Sequence, residues 1–113
     1  MITDDDKKKI YESLNKALKE VFGAGMNYYF ATHNKTKREI TDVRLMSMKV
    51  IHDECLFNYK DIGDMFGKTK SNVRGNVINA SNYIDVDYTF RTNYKKLKEA
   101  FRLVYEEKGK QNR

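Results

Sequence analysis

The chain contains no proline, one cysteine, two histidines and no long apolar run. Without proline, helices can continue unbroken and no proline-rich linker divides the chain. A lone Cys55 cannot form an intramolecular disulfide, which fits a reducing compartment. No apolar stretch approaches the roughly 20 residues that a membrane span needs, and the acidic start lacks the hydrophobic core of a signal peptide. We therefore expect a cytoplasmic protein without membrane contact.

Residues that carry catalysis or bind metals are equally scarce. Neither His33 nor His52 has a partner at the spacing of metal ligands. No paired carboxylates and no histidine-assisted nucleophile occur at a useful spacing. Cys55 is expected to be a small hydrophobe near a helix end. The sequence predicts no enzymatic activity, no cofactor and no metal site.

Positive charge is in excess. The 113 residues include 22 Lys and Arg against 16 Asp and Glu, which gives a net charge of +6. With 34% charged and 40% apolar residues, the composition is that of one globular domain with a single core. The charge favours a polyanionic partner, but a well solvated basic surface would look the same.

Apolar periodicity predicts an all-α fold, a compact helical bundle. A first helix is expected over about Asp4–Phe22, started by Thr3 and ended by glycine. The segment from Met26 to His33 is expected to be a short helix or an ordered loop, because a lone strand would have no partner. A longer helix should run from Ile40 or Thr41 to about Leu56. Leu45 and Met48 broaden its apolar surface, which suggests contacts on more than one side.

The last helix should run from about Tyr88 to Lys108, with Gly109 as a stop. Its apolar stripe is the cleanest in the sequence: Phe90, Tyr94, Leu97, Phe101 and Val104. The stripe predicts core packing, although its spacing would equally serve a dimer.

The central stretch from Tyr59 to Tyr83 is typical of a helix-turn-helix. Ile62, Met65 and Phe66 give a first short helix one apolar face, and Gly67 stands directly after it, where a left-handed helix stop is wanted. A second face then recurs at helical spacing: Val73, Val77, Ala80 and Ile84. Two short helices joined by a glycine-containing turn are the pattern of this class of DNA-binding protein.

If that second face is buried, Ser71, Arg74, Gly75 and Asn79 point largely outward. Lys70 and Asn72 lie at the N-terminal edge, the end that such a helix points at base edges. Lysine and arginine can donate to guanine O6 and N7, and Asn72 can pair with adenine. Free N–H groups there, with the Thr69 and Ser71 hydroxyls, could hold a phosphate. Gly75 lies inside the predicted helix, where glycine costs about 0.8–1 kcal/mol relative to alanine. A close approach to DNA or to a neighbouring helix would explain it.

Two further segments carry a family resemblance. Residues 36–44 (Thr-Lys-Arg-Glu-Ile-Thr-Asp-Val-Arg) are followed by Met46 and Met48, and later by Ile62-Gly63 and Phe66-Gly67. This pattern resembles the C-terminal DNA-binding domain of the bacterial replication initiator DnaA, over roughly 21–101. The resemblance implies an all-helical bundle with a helix-turn-helix related to the Trp-repressor type. It also implies a minor-groove role for Arg38, supported by Lys35 and Lys37, and a phosphate contact for Arg44.

The recognition signature departs from that family. The family has Gly-Gly-Arg-Asp-His-Ser/Thr-Thr-Val, and this chain has Gly-Lys-Thr-Lys-Ser-Asn-Val over 67–73, one residue shorter. Lys70 stands at the histidine position, Thr69 at the aspartate and Asn72 at the last threonine. In the family, these positions determine which DNA sequence is bound. The resemblance therefore implies a shared scaffold but not binding to the family's usual DNA site. No Walker-type loop occurs, so no ATPase module is expected.

Sequence-selective binding of double-stranded DNA is therefore our first hypothesis. The expected DNA-binding residues are Lys35, Lys37, Arg38, Arg44, Lys68, Thr69, Lys70, Ser71, Asn72 and Arg74. We interpret 1–113 as one domain, with an N-terminal helix and connector (1–33), the DnaA-like region (34–106) and a tail (107–113). A homodimer and a replication or transcription partner both stay open. The alternative is a protein-interaction module on the same scaffold that has lost DNA contact. The altered recognition signature and the apolar Leu45/Met48 and Tyr28–Phe30 surfaces motivate it.

Overall fold

A computed structural model describes residues 3–31 and 37–111, with side chains to residue 107. Over these ranges the chain forms six helices and no strand, which confirms the predicted all-α bundle. The helices are α1 (Asp4–Phe22), α2 (Met26–Phe30), α3 (Arg38–Cys55), α4 (Tyr59–Phe66), α5 (Lys70–Val86) and α6 (Tyr88–Gln111). In the described part of the chain, no helix is long and apolar enough to cross a bilayer.

Capping residues predicted from the sequence set both ends of α1. The Thr3 hydroxyl accepts a hydrogen bond from the Asp6 N–H at 3.1 Å, and the Asp6 carboxylate accepts one from the Thr3 N–H at 3.2 Å. Gly23 closes α1 in the left-handed region at φ +85°. These contacts confirm the predicted bounds of the first helix.

Two predicted bounds are wrong. Helix α3 begins at Arg38 rather than at residue 40 or 41, because the Lys37 carbonyl already accepts from the Thr41 N–H at 3.0 Å. Helix α6 passes through Gly109 to Gln111. One glycine costs a helix only about 1 kcal/mol, so it does not by itself end one.

Helix α3 is the centre of the core. It packs against α2, α4, α5 and α6, while α1 lies along α6. Leu45 and Met48 are 6% and 1% exposed, so α3 is covered on more than one side, as predicted. The whole apolar stripe of α6 is also buried within this chain, which confirms its core role.

A polar cluster fixes α3 against α6. The Tyr94 hydroxyl donates to Asp53 Oδ2 at 2.7 Å, and Lys49 Nζ lies 2.9 Å from the same carboxylate. Burial alone would raise the pKa of Asp53, but the hydrogen bonds from Lys49 and Tyr94 outweigh it and hold that pKa below its usual range. Burial, together with the Asp53 charge, raises the pKa of Tyr94. The ionised Asp53 carboxylate therefore accepts from the neutral Tyr94 hydroxyl, and a hydrogen bond of this charge-assisted kind is strong.

Candidate nucleic-acid interface

A three-residue turn joins α4 to α5. Gly67 ends α4 in the left-handed region at φ +67°, as its position in the sequence predicts. The Lys68 N–H then donates to the Gly63 carbonyl at 2.9 Å. Thr69 caps α5, its hydroxyl accepting from the Asn72 N–H at 3.1 Å. Backbone bonds and caps thus fix the direction in which α5 leaves the turn.

The turn lies directly on Gly63, a buried residue of α4. A Cβ built on Gly63 would stand 2.4 Å from the backbone oxygen of Lys68, closer than real Cβ atoms approach. Glycine is therefore required here by a close approach of the backbone. Nothing local in the sequence predicts this requirement, because the approaching atom belongs to a turn five residues later.

Helix α5 is divided into a buried and an exposed face. Val73, Val77 and Ala80 are at most 4% exposed, and Ile84 is partly buried. The residues predicted to face outward are exposed: Lys70, Ser71, Asn72, Arg74, Gly75 and Asn79. The predicted orientation of α5 is confirmed.

The exposed side of the turn and of the first two turns of α5 is basic. Lys68, Lys70 and Arg74 are exposed, and within the described ranges none of the three lies at ion-pair distance from a carboxylate. The first acidic residue along α5 is Asp85, near its far end. Three unneutralised cations on one end of a helix give this surface a positive potential.

The start of α5 also offers backbone donors. The N–H groups in the first turn of a helix have no intrahelical acceptor. Thr69 accepts from Asn72 through its hydroxyl and from Val73 through its carbonyl. Within the described residues no acceptor binds the N–H groups of Lys70 and Ser71, which lie at the positive end of the helix dipole and can donate to an external acceptor.

Asn76 orients Asn72, a role that was not predicted from the sequence. The Asn76 amide donates to Asn72 Oδ1 at 3.0 Å, and it also lies 3.3 Å from the sulfur of Met48 in the core. The contact leaves the Asn72 amide group free to donate and one lone pair of its oxygen free to accept. The i, i+4 spacing of the two asparagines was the only sequence signal for it.

Arg38 stands at the opposite end of α5 from Lys70. Its guanidinium lies 3.4 Å from Asp87, the residue directly after α5, and 3.7 Å from Asp42. Helices α3 and α5 run antiparallel, since Met48 meets Asn76 farther along. The 17 residues of α5 span about 25 Å. Arg38 and the basic residues at the start of α5 therefore lie about 25 Å apart along this helix.

The remaining basic residues of the prediction lie elsewhere. Lys37 is exposed beside Arg38, and Lys35 falls outside the described residues. Arg44 is partly buried on α3, where it donates through Nε to the Tyr29 carbonyl and through Nη2 to the Ala31 carbonyl at 2.9 Å. It thereby holds the end of α2 against α3. The phosphate contact implied for Arg44 stays a prediction, and the interface described here does not include it.

The site therefore combines a closely packed turn with an oriented asparagine on one exposed helix end. Among the described residues, its three cations make no ion pair and two of its backbone N–H groups have no acceptor. It offers donors for an anionic backbone and side chains that can pair with base edges. No family model, no curated protein and no solved structure matches the chain.

Proposed function

We propose that this chain binds double-stranded DNA through α4, the turn and α5, which act as a helix-turn-helix. The start of α5 would enter the major groove, where the first residues of a recognition helix meet base edges. The observation that carries the proposal is the exposed basic end of α5, which makes no ion pair within the described ranges and follows a turn that packs directly on Gly63.

The contacts divide by chemistry. Lys68 and the free N–H groups of Lys70 and Ser71 suit phosphate oxygens, which position a protein on the duplex. The side chains of Lys70 and Arg74 can donate to guanine, and Asn72 can pair with adenine. These residues would give the binding its sequence preference. The cytoplasmic location expected from the sequence fits a DNA-binding role.

The resemblance to the DnaA DNA-binding domain supports the proposal. It concerns the scaffold, which would place Arg38 against an adjacent minor groove while α5 occupies the major groove. Because the signature at 69–72 differs from the family pattern, we expect a different preferred site. A replication or transcription regulator is the role that fits best.

Most of the apolar side chains that motivate the protein-interaction alternative are not available to a partner. Leu45, Met48 and Tyr29 are buried, and Phe30 stacks on Phe66 with ring centroids 4.8 Å apart. Tyr28 is the exposed member of that group, at 42%. Most of the apolar surface that motivates the alternative is thus covered by the chain itself.

Binding should be tested by fluorescence anisotropy of a labelled random duplex of about two helical turns. With about five phosphate contacts, raising salt from roughly 50 to 200 mM should lower the affinity by about 10²–10³-fold. A pull-down with the same chain would test the protein-interaction alternative by searching for bound proteins. Absence of binding at the lowest salt would overturn the proposal and favour the protein-interaction alternative.

Replacing Asp87 by asparagine should raise DNA affinity. Asp87 Oδ2 holds Arg38, and its Oδ1 caps α6 by accepting from the Phe90 N–H at 3.0 Å. Asparagine keeps the capping oxygen but loses the charge that attracts the guanidinium. Because such exposed pairs are weak, we expect a gain of roughly two- to fivefold at low salt.

The matched control is Asp85→Asn, which removes the same charge two residues away without touching Arg38. The gain from Asp87→Asn should exceed that from Asp85→Asn and should vanish when Arg38→Ala is added. Equal gains from both asparagine variants would show a general charge effect instead of release of Arg38.

A further inference from the structure

Gly75 lies at the apex of the exposed face of α5. With 3.6 residues per turn, its position is opposite the buried face formed by Val73, Val77, Ala80 and Ile84. Apart from its two chain neighbours and the backbone of its own helix, a Cβ built on Gly75 meets no described atom within 4 Å. Packing against a neighbouring helix is thus not the reason for this glycine, and the space in front of it is open to an external surface. With glycine at its apex, the helix backbone can come nearer to the floor of a groove than it could with any side chain there.

Ile78 stands beside that apex. It is three residues after Gly75 and seven after Ser71, so the three share one side of the helix. Its side chain is 40% exposed, whereas the neighbouring exposed positions Asn79 and Asn82 are polar. An aliphatic side chain is therefore presented on the same face as the proposed recognition residues.

Lys70 and Ile78 meet different parts of a bound duplex. Ile78 comes eight residues after Lys70, a separation of about 12 Å along α5. Lys70, Asn72 and Arg74 provide hydrogen bonds to purine edges, but Ile78 has no polar atom to offer. In the major groove the apolar feature that distinguishes one base from the others is the C5-methyl group of thymine.

We propose that Ile78 contacts the C5-methyl group of a thymine in the major groove, and that Gly75 permits the close approach this contact needs. The inference rests on the proposed DNA binding and adds a specificity-determining residue to it. The basic rim formed by Lys68, Lys70 and Arg74 provides the charge complementarity that brings a duplex, rather than an uncharged partner, to this face.

The test uses the full chain and a duplex selected by it from a random pool. Each thymine of the selected site is replaced in turn by deoxyuridine, which lacks the methyl group. At one position, affinity should fall by about fourfold, the value expected for removing one buried methyl-sized group. The Ile78→Ala variant should bind the thymine and uracil duplexes equally.

Val86→Ala is the matched control, because Val86 is an exposed aliphatic residue near the far end of the same helix, 81% exposed. It should keep the preference for thymine. Gly75→Leu adds a second measurement: the helix should stay folded, and affinity for the selected duplex should fall by roughly tenfold or more, as for loss of a good contact.

The outcomes separate the two proposals. If no site is selected and no duplex is bound, the proposed function fails. If a site is bound but no uracil substitution lowers affinity, or Ile78→Ala keeps the preference for thymine, the function stands and the role of Ile78 is overturned. Unchanged affinity of Gly75→Leu would equally overturn the close approach.

Discussion

Gly63→Ala is expected to lower the free energy of unfolding by about 2 kcal/mol, within the usual range for overpacking. The added Cβ would stand 2.4 Å from the Lys68 backbone oxygen. Because that atom belongs to the backbone, it cannot move aside as a flexible side chain would. The higher helix propensity of alanine, about 1 kcal/mol, offsets only part of the steric cost.

Thermal and urea denaturation followed by circular dichroism would measure this loss. A change of 2 kcal/mol corresponds to a fall in Tm of roughly 8 °C for a chain of this size. The lower stability should come with weaker DNA binding, since Lys68 and Thr69 must move and they set the start of α5. Wild-type stability in Gly63→Ala would contradict the close contact between α4 and the turn.

Gly75→Ala is the matched control, with the same chemical change on the next helix. Nothing lies within 4 Å of the added Cβ, and the residue is inside a helix. Alanine should therefore stabilise the chain by about 0.8–1 kcal/mol. Gly63→Ala should lower Tm and Gly75→Ala should raise it. The two effects differ in sign because only the Cβ added at residue 63 meets a backbone atom.

Local signals in the sequence were sufficient for most helix bounds. Thr3 with Asp6, Gly23 and Gly67 act within a few residues, so their capping roles can be predicted from spacing alone. The exposed face of α5 was also predictable, because burial repeats with the helical period. The stop predicted at Gly109 was wrong, since a glycine ends a helix only where its backbone adopts the left-handed conformation, as Gly23 and Gly67 do.

The rest of the site depends on contacts between distant residues. Arg38 pairs with Asp87, 49 residues away, and Arg44 donates to carbonyls of α2 and the residue after it. A basic cluster in a sequence does not reveal which cations are already neutralised by the fold. We therefore expect the cations without ion pairs in the described residues, Lys68, Lys70 and Arg74, to contribute more to the proposed DNA binding than Arg38 and Arg44.

Neutralising these three cations is the change with the largest expected effect on DNA binding. Each phosphate contact contributes about 0.9 to the slope of log affinity against log salt, which corresponds to about eightfold in affinity at 0.1 M salt. Loss of the Lys68 phosphate contact should thus cost about eightfold in affinity and make the slope shallower by about 1. Loss of the two guanine contacts of Lys70 and Arg74, at about 1–3 kcal/mol each, should bring the weakening of the variant Lys68→Ala, Lys70→Ala, Arg74→Ala on its selected duplex to about two hundredfold or more. Because the three side chains are exposed and make no ion pair within the described ranges, stability should change by less than about 0.5 kcal/mol.

A second triple variant separates local contact from net charge. Lys8, Lys16 and Lys19 are exposed on α1, which packs mainly along α6. Replacing all three with alanine removes the same charge from the chain, but exposed charges beyond a Debye length of about 10 Å act weakly at 0.1 M salt. Anisotropy titrations at several salt concentrations should show a loss below about tenfold and an unchanged slope for this control. If both triple variants lost affinity and slope equally, DNA would be held by the overall charge of the molecule, and the start of α5 would have no special role.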